Sequence, residues 1–160
     1  ICTEIGIDRV IPWASQRAIV QWRGPKAEKG RAKWEGVVRA AAKQSRRAYV
    51  PVVEAVTDSR ELASWVRALT DEAGAAFVCH EEATQSLGAA LARVQGDATD
   101  GFLPARVALI VGPEGGIGPE ETAQLVAAGA RTVGLGANVL RSSTAGAVAL
   151  TLIRAAAGAY

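Results

Sequence analysis

At 160 residues, with 49% hydrophobic and 21% charged side chains, the chain has the size and make-up of one globular domain with its own core, which excludes a disordered or fibrous protein. No apolar run reaches the length of a membrane span, nothing at the start resembles a signal peptide, and the two cysteines, Cys2 and Cys79, are too few for a disulfide framework. These features point to a reducing cytoplasm, the single His80 cannot anchor a zinc site, so no metal is expected, and a net charge of +2 is by itself no argument for nucleic acid.

The chain opens without a methionine on Ile1–Gly6, which reads as the end of a helix capped by Gly6; the expectation is that further sequence precedes it. Arg9–Trp13 predicts a short strand. Between Arg23 and Arg47, nine basic residues then stand against only Glu28 and Glu35. Most of this segment reads as one helix with Trp34, Val37, Val38 and Ala41 on one face and Arg39, Lys43, Arg46 and Arg47 on the other. Charge alone leaves two readings open, a solvated helix surface or an RNA-facing stripe with steeply salt-dependent binding.

Pro51 ends that section and Val52–Val56 restarts as a strand. Asp58 or Ser59 can cap a helix running to about Leu69. Ala75–Cys79 predicts the next strand, Ser86–Val94 a helix, and Gly96–Pro104 a polar loop. Val107–Val111 is an apolar run of the kind buried on both faces of a sheet. After it come Gly112-Pro113-Glu114-Gly115-Gly116-Ile117-Gly118, and then Pro119-Glu120-Glu121, with proline at the first helical position and two carboxylates at the positive end of the helix dipole. That helix runs to Ala128 and stops at Gly129. Arg131–Leu135 predicts a strand and Ser143–Ala159 a closing helix. Strands alternating with helices imply an α/β fold, a mostly parallel sheet with helices on both faces. From Ala145 to Ala157 the last helix is apolar nearly all round, which fits either a central core helix or a subunit interface, with a homodimer the favoured expectation.

Four glycines in a strand-to-helix turn let backbone approach a ligand where a Cβ would block it. Their spacing is neither G-x-G-x-x-G nor a P-loop, which argues against a dinucleotide dehydrogenase and an NTPase. A second loop, Leu135-Gly136-Ala137-Asn138-Val139-Leu140-Arg141, again joins a strand to a helix, and a third strand ends at Cys79-His80-Glu81-Glu82. Loops at the carboxyl ends of parallel strands face one crevice, where open α/β sheets bind ligands.

Gly112-Pro113-Glu114-Gly115-Gly116, followed by Leu135-Gly136-x-x-Val139-Leu140-Arg141-x-x-Thr144-Ala145, resembles the bacterial 16S rRNA (uracil-N3)-methyltransferase family, a branch of the SPOUT class of S-adenosylmethionine-dependent methyltransferases. Thr3-Glu4-Ile5-Gly6-Ile7, Gln16-Arg17, Trp34, Gln44-Ser45-x-Arg47 and Val50-Pro51 extend the likeness over essentially the whole chain. Lys43, Arg46, Ala137-Asn138 and Ser143 depart from the family's usual residues, which touches substrate contacts more than donor binding.

The resemblance implies a C-terminal trefoil knot that holds S-adenosylmethionine bent, and a homodimer that completes each site. It implies that residues 1–160 are the catalytic domain, that the family's N-terminal barrel-like RNA-binding domain lies upstream, and that the partner is 16S rRNA in the small ribosomal subunit or a precursor. Backbone groups of Val111, Gly112, Pro113, Gly115, Gly116 and Gly136, with His80, Arg141, Thr144 and Ala145, would hold the donor between apolar walls from Ile117, Leu135, Val139 and Leu140. Arg141 is the first catalytic candidate, as a cation for the developing uracil anion or an orienting group. Glu114 and His80 are candidates for proton removal or for holding a loop. Arg17, Arg39, Lys43, Gln44, Arg46 and Arg47 are the candidate RNA contacts. Two other readings carry the same motifs: a SPOUT ribose 2′-O-methyltransferase, and a non-catalytic RNA-binding or assembly module.

Overall fold

The computed structural model describes residues 1–160. In chain order the elements are α1 (Cys2–Ile5), β1 (Arg9–Val10), α2 (Pro25–Gln44), β2 (Val52–Val53), α3 (Ser59–Asp71), β3 (Ala75–Cys79), α4 (Leu87–Asp97), β4 (Val107–Val111), α5 (Pro119–Ala127), β5 (Arg131–Val133) and α6 (Ser142–Ala156). Every strand pairing is parallel. The order β4-β3-β5 forms one sheet and β1-β2 a second, so the single sheet expected from the sequence is divided in two. Pro12 supplies no N–H and breaks the first ladder, which resumes beyond it as a bridge between Trp13 and Thr57.

Alternation along β3 and β4 sorts the core into two layers. On one face, Ala76, Val78, Ala108 and Ile110 meet Leu62, Val66 and Leu69 of α3 and Leu125 of α5. On the other, Phe77 meets Leu87, Ala90 and Leu91 of α4 and Ala149 and Ile153 of α6. Helices therefore cover both faces of the main sheet, as expected. Local chemistry sets several boundaries. Asp58 accepts from Glu61 N while Glu61 accepts from Asp58 N, a reciprocal cap worth about 1 kcal/mol. Ser86 caps α4 through Ala89 N. Gly129 (φ +105°) turns the chain after α5, and a Cβ there would meet Thr70 Oγ1 at 2.7 Å.

Three expectations require correction. The apolar face drawn on α2 is mostly uncovered: Val38 is buried, but Trp34 is 40% and Val37 61% exposed. Trp34 instead meets Trp22 edge-on, at 4.9 Å between ring centroids. The closing helix ends at Ala156 and is buried only along Ala145, Ala149 and Ile153. Its opposite side (Ala147, Val148, Thr151, Leu152) lines a shallow depression of about 280 Å³, so apolar composition on every face does not mean burial on every face within one chain. The β5 strand is shorter than drawn because Gly134 leaves the sheet to bridge Ser86. No helix is long and apolar enough to cross a membrane.

Candidate active site

The order β4-β3-β5 places the central strand first in sequence, so its neighbours leave on opposite sides. From β3 the chain passes to α4 on one face, and from β4 to α5 on the other. A crevice forms where adjacent parallel strands send their outgoing loops to opposite faces. In this strand order that position falls between the His80 segment and Gly112–Gly118, and the Leu135–Arg141 loop follows β5 on the far side of β3. The three motifs separated in sequence thus share one edge of the sheet.

The glycine-rich loop is a turn closed by Gly116 N donating to Pro113 O at 2.9 Å. Gly116 (φ +73°) occupies the left-handed region that side chains disfavour, and Gly136 (φ +130°) does so in the second loop. Gly112 and Gly115 are bare for another reason. A Cβ on Gly112 would lie 2.5 Å from Ile117, and one on Gly115 would lie 3.0 Å from the carbonyl oxygen of Arg17. The space is filled by the protein's own atoms. Ile117 accordingly sits buried beneath the loop in the α3/α5 core rather than standing as a pocket wall, and Ala145 is likewise a core residue of α6. Val139 is 75% exposed, a large apolar side chain open at the end of the second loop. Leu135 and Leu140 are half-buried beside it, and Thr144 is exposed in the first turn of α6.

The three catalytic candidates differ in character. Arg141 is exposed at the N-cap position of α6, its backbone carbonyl accepting from Thr144 N and Ala145 N. Glu114 accepts from Ser142 Oγ at 3.1 Å. Its own backbone amide and the Ser142 hydroxyl hold its carboxyl below the usual range, which suits a clasp between loops better than a proton acceptor. His80 Nδ1 accepts from Glu82 N at 3.2 Å, so in neutral His80 the ring proton is assigned to Nε2, a donor. Beside it, burial pushes the Cys79 thiol up to about 11 and leaves it unreactive.

The RNA candidates divide as well. Arg17 joins the site: its Nη1 donates to Gly115 O at 3.4 Å and its backbone abuts the glycine loop. Arg39, Lys43, Gln44 and Arg46 are exposed on α2 and its C-terminal turn. Arg47 does not belong to that free stripe. Its side chain is only 12% exposed, donating to Thr3 O and Ile7 O and pairing with Asp8 at 3.0 Å, so it closes the α1 turn.

Sequence reasoning gave Glu121 only a dipole-complementing part. It is 1% exposed and accepts from Gln16 N at 2.9 Å, Gly118 N at 3.3 Å and Ser59 Oγ, while Ser59 Oγ in turn accepts from Trp13 Nε1 at 3.1 Å. This carboxylate fastens the 13–17 segment to the base of the glycine loop.

A family profile described as an RNA methyltransferase domain matches residues 1–154. A ribosomal RNA small subunit methyltransferase E from Mycobacterium bovis is 43% identical over 150 residues, 94% of this chain and 54% of that protein. The chain thus spans about half the length of the curated relatives it matches. Among solved structures, a ribosomal RNA small subunit methyltransferase E from Neisseria gonorrhoeae bound to S-adenosyl methionine superposes with a TM-score of 0.78 at 28% identity, covering 96% of this chain and 57% of that one. A protein from Legionella pneumophila with bound S-adenosylmethionine gives 0.77 at 26% identity, over 96% and 57%. With the profile spanning nearly its whole length, the chain belongs to the RNA methyltransferase domain family, with ribosomal RNA small subunit methyltransferases E among its relatives.

Proposed function

We propose that this domain transfers a methyl group from S-adenosylmethionine to N3 of a uridine in 16S rRNA. The observation that carries the reading is the meeting of the His80, Gly112–Gly118 and Leu135–Arg141 segments at one sheet edge, in a chain similar to small-subunit rRNA methyltransferases. The residues present fit the donor. The two loops offer backbone N–H and C=O groups for an adenine edge, and Val139 is an apolar side chain still exposed. When bound, the donor supplies a methyl group already activated on its sulfonium, so no metal is required.

The rest falls to this chain. Holding uracil N3 in line with the methyl group can be worth roughly 7–11 kcal/mol. Arg141 orients the base and stabilises its developing anion. His80, donating through Nε2, and Glu114, clasping Ser142, position the flanking loops, and the N3 proton passes to water. Arg17, Arg39, Lys43 and Arg46 provide the RNA-facing charge, and the Gln44 amide adds a neutral hydrogen-bonding group. A trefoil knot formed by the C-terminal loops, a homodimer formed through the open side of α6, and work on the small ribosomal subunit or its precursor in the cytoplasm complete the proposal.

Calorimetric titration of S-adenosylmethionine into the domain, with Gly115→Val as control, tests the donor site. Saturable binding near one per subunit that the substitution abolishes is the expected result, because the added side chain displaces Arg17 from the loop. No binding by the folded domain overturns the reading. Mass spectrometry of methylated 16S rRNA then separates N3-methyluridine from a 2′-O-methyl product.

A further inference from the structure

Ile19 and Val20 are 81% and 71% exposed, adjacent β-branched apolar side chains on a loop tip. The loop that presents them is closed on itself. Ala18 N donates to Ser15 O at 3.2 Å, and the Gln21 side-chain amide donates to Ser15 O at 3.2 Å and Ala18 O at 2.8 Å. It is also anchored, since Gln16 N donates to the buried Glu121. Two residues span at most about 7 Å of chain, so Ile19 lies within that reach of Arg17, whose carbonyl touches Gly115. Exposed arginines, Arg17 and Arg23, flank the tip, and neither enters an ion pair.

An apolar tip between two cations without carboxylate partners, fixed beside the proposed donor loop, has the composition of an element that wedges into a nucleic-acid stack while its flanks meet phosphates. The methylation reading, on which this rests, creates the need. Uracil N3 lies on the pairing edge, and enzymes that act on such atoms take the base out of its stack. We propose that the loop from Ser15 to Gln21 is an unstacking wedge, with Ile19 and Val20 replacing the neighbour of the target uridine so that N3 turns toward the glycine-rich loop. Gln21 and Glu121 are positioning residues for the wedge.

The test uses an RNA hairpin with the target uridine in its loop-closing stack and 2-aminopurine 3′ to it, with wild type and the Ile19→Ser/Val20→Ser double variant. Wild type raises 2-aminopurine fluorescence on saturation. The double variant loses that rise and methylates the hairpin about tenfold more slowly, yet stays within about twofold on an unstructured oligonucleotide of the same sequence. Its S-adenosylmethionine affinity and the salt dependence of its RNA binding stay unchanged, and Ile19→Val/Val20→Ile restores the rise. No rise with wild type, or a double variant that unstacks the hairpin like wild type, overturns the wedge; the latter result makes these side chains a protein contact instead. If wild type unstacks the RNA but transfers no methyl group, the wedge stands and the methylation reading fails.

Discussion

Ser142 Oγ donates to Glu114 Oε1 at 3.1 Å, joining the glycine-rich loop to the first turn of α6 across 28 positions of sequence. The contact makes two loops from different strands behave as one wall of the site. The Glu114 backbone amide and, second to it, this contact hold the Glu114 carboxyl below its ordinary 4.5. A carboxyl whose folded pKa is depressed adds stability above its unfolded value and loses it as pH falls through the folded one. The clasp therefore weakens only below about pH 4.5. Ser142→Ala should move the Glu114 titration part of the way back toward 4.5 in an NMR pH series, since the backbone amide still lowers it, and loosen donor binding at neutral pH without lowering the thermal midpoint appreciably.

Cys79 has the opposite sign. Burial raises its thiol from 9.0 to about 11, so the folded state keeps a proton that the unfolded chain releases. The stability linked to this group is complete below pH 9 and declines between about pH 9 and 11. Cys79→Ala should flatten that part of an alkaline unfolding profile. At pH 8 the wild-type thiol should resist iodoacetamide until denaturant is added, as mapped by mass spectrometry.

Glu121 is nearly inaccessible and satisfies three donors, two of them backbone amides. Glu121→Ala leaves Gln16 N–H, Gly118 N–H and the Ser59 hydroxyl without this acceptor. A loss of about 2–4 kcal/mol in urea unfolding is expected, with weaker donor binding once the 13–17 segment detaches.

Arg141 is exposed, so its removal leaves no buried group unpaired. Arg141→Ala should keep the melting temperature and leave donor affinity within a few-fold, while single-turnover methylation falls roughly a hundredfold, the scale of one lost group stabilising a developing anion. A variant that no longer binds donor would make Arg141 part of the donor pocket instead.

What the sequence revealed and concealed follows from the range of each signal. The α3 cap, the apolar runs of β3 and β4 and the glycine turn are written in neighbouring residues, and each forms where spacing and chemistry predict. The part played by Glu121 was hidden because Gln16 and Ser59 lie 105 and 62 positions away, and an acid in a first helical turn already has an ordinary reason to be there. Arg47 was misjudged for the same cause: a charge count cannot tell a cation facing water from one folded back onto Thr3 and Ile7. Periodicity on α2 and the all-round apolar composition of α6 carried no information on which of their apolar side chains the fold covers, and Trp34, Val37 and Leu152 stay exposed.

The β4-β3-β5 order has a consequence for how such a site changes over time. Its three loops spring from strands held side by side by backbone hydrogen bonds, about 4.8 Å apart, so the outer two begin about 10 Å from one another. That interval is set by the peptide unit and no side chain alters it. Core residues can drift and loop residues can be exchanged for a new base or a new nucleic acid, while the ruler beneath them keeps its length.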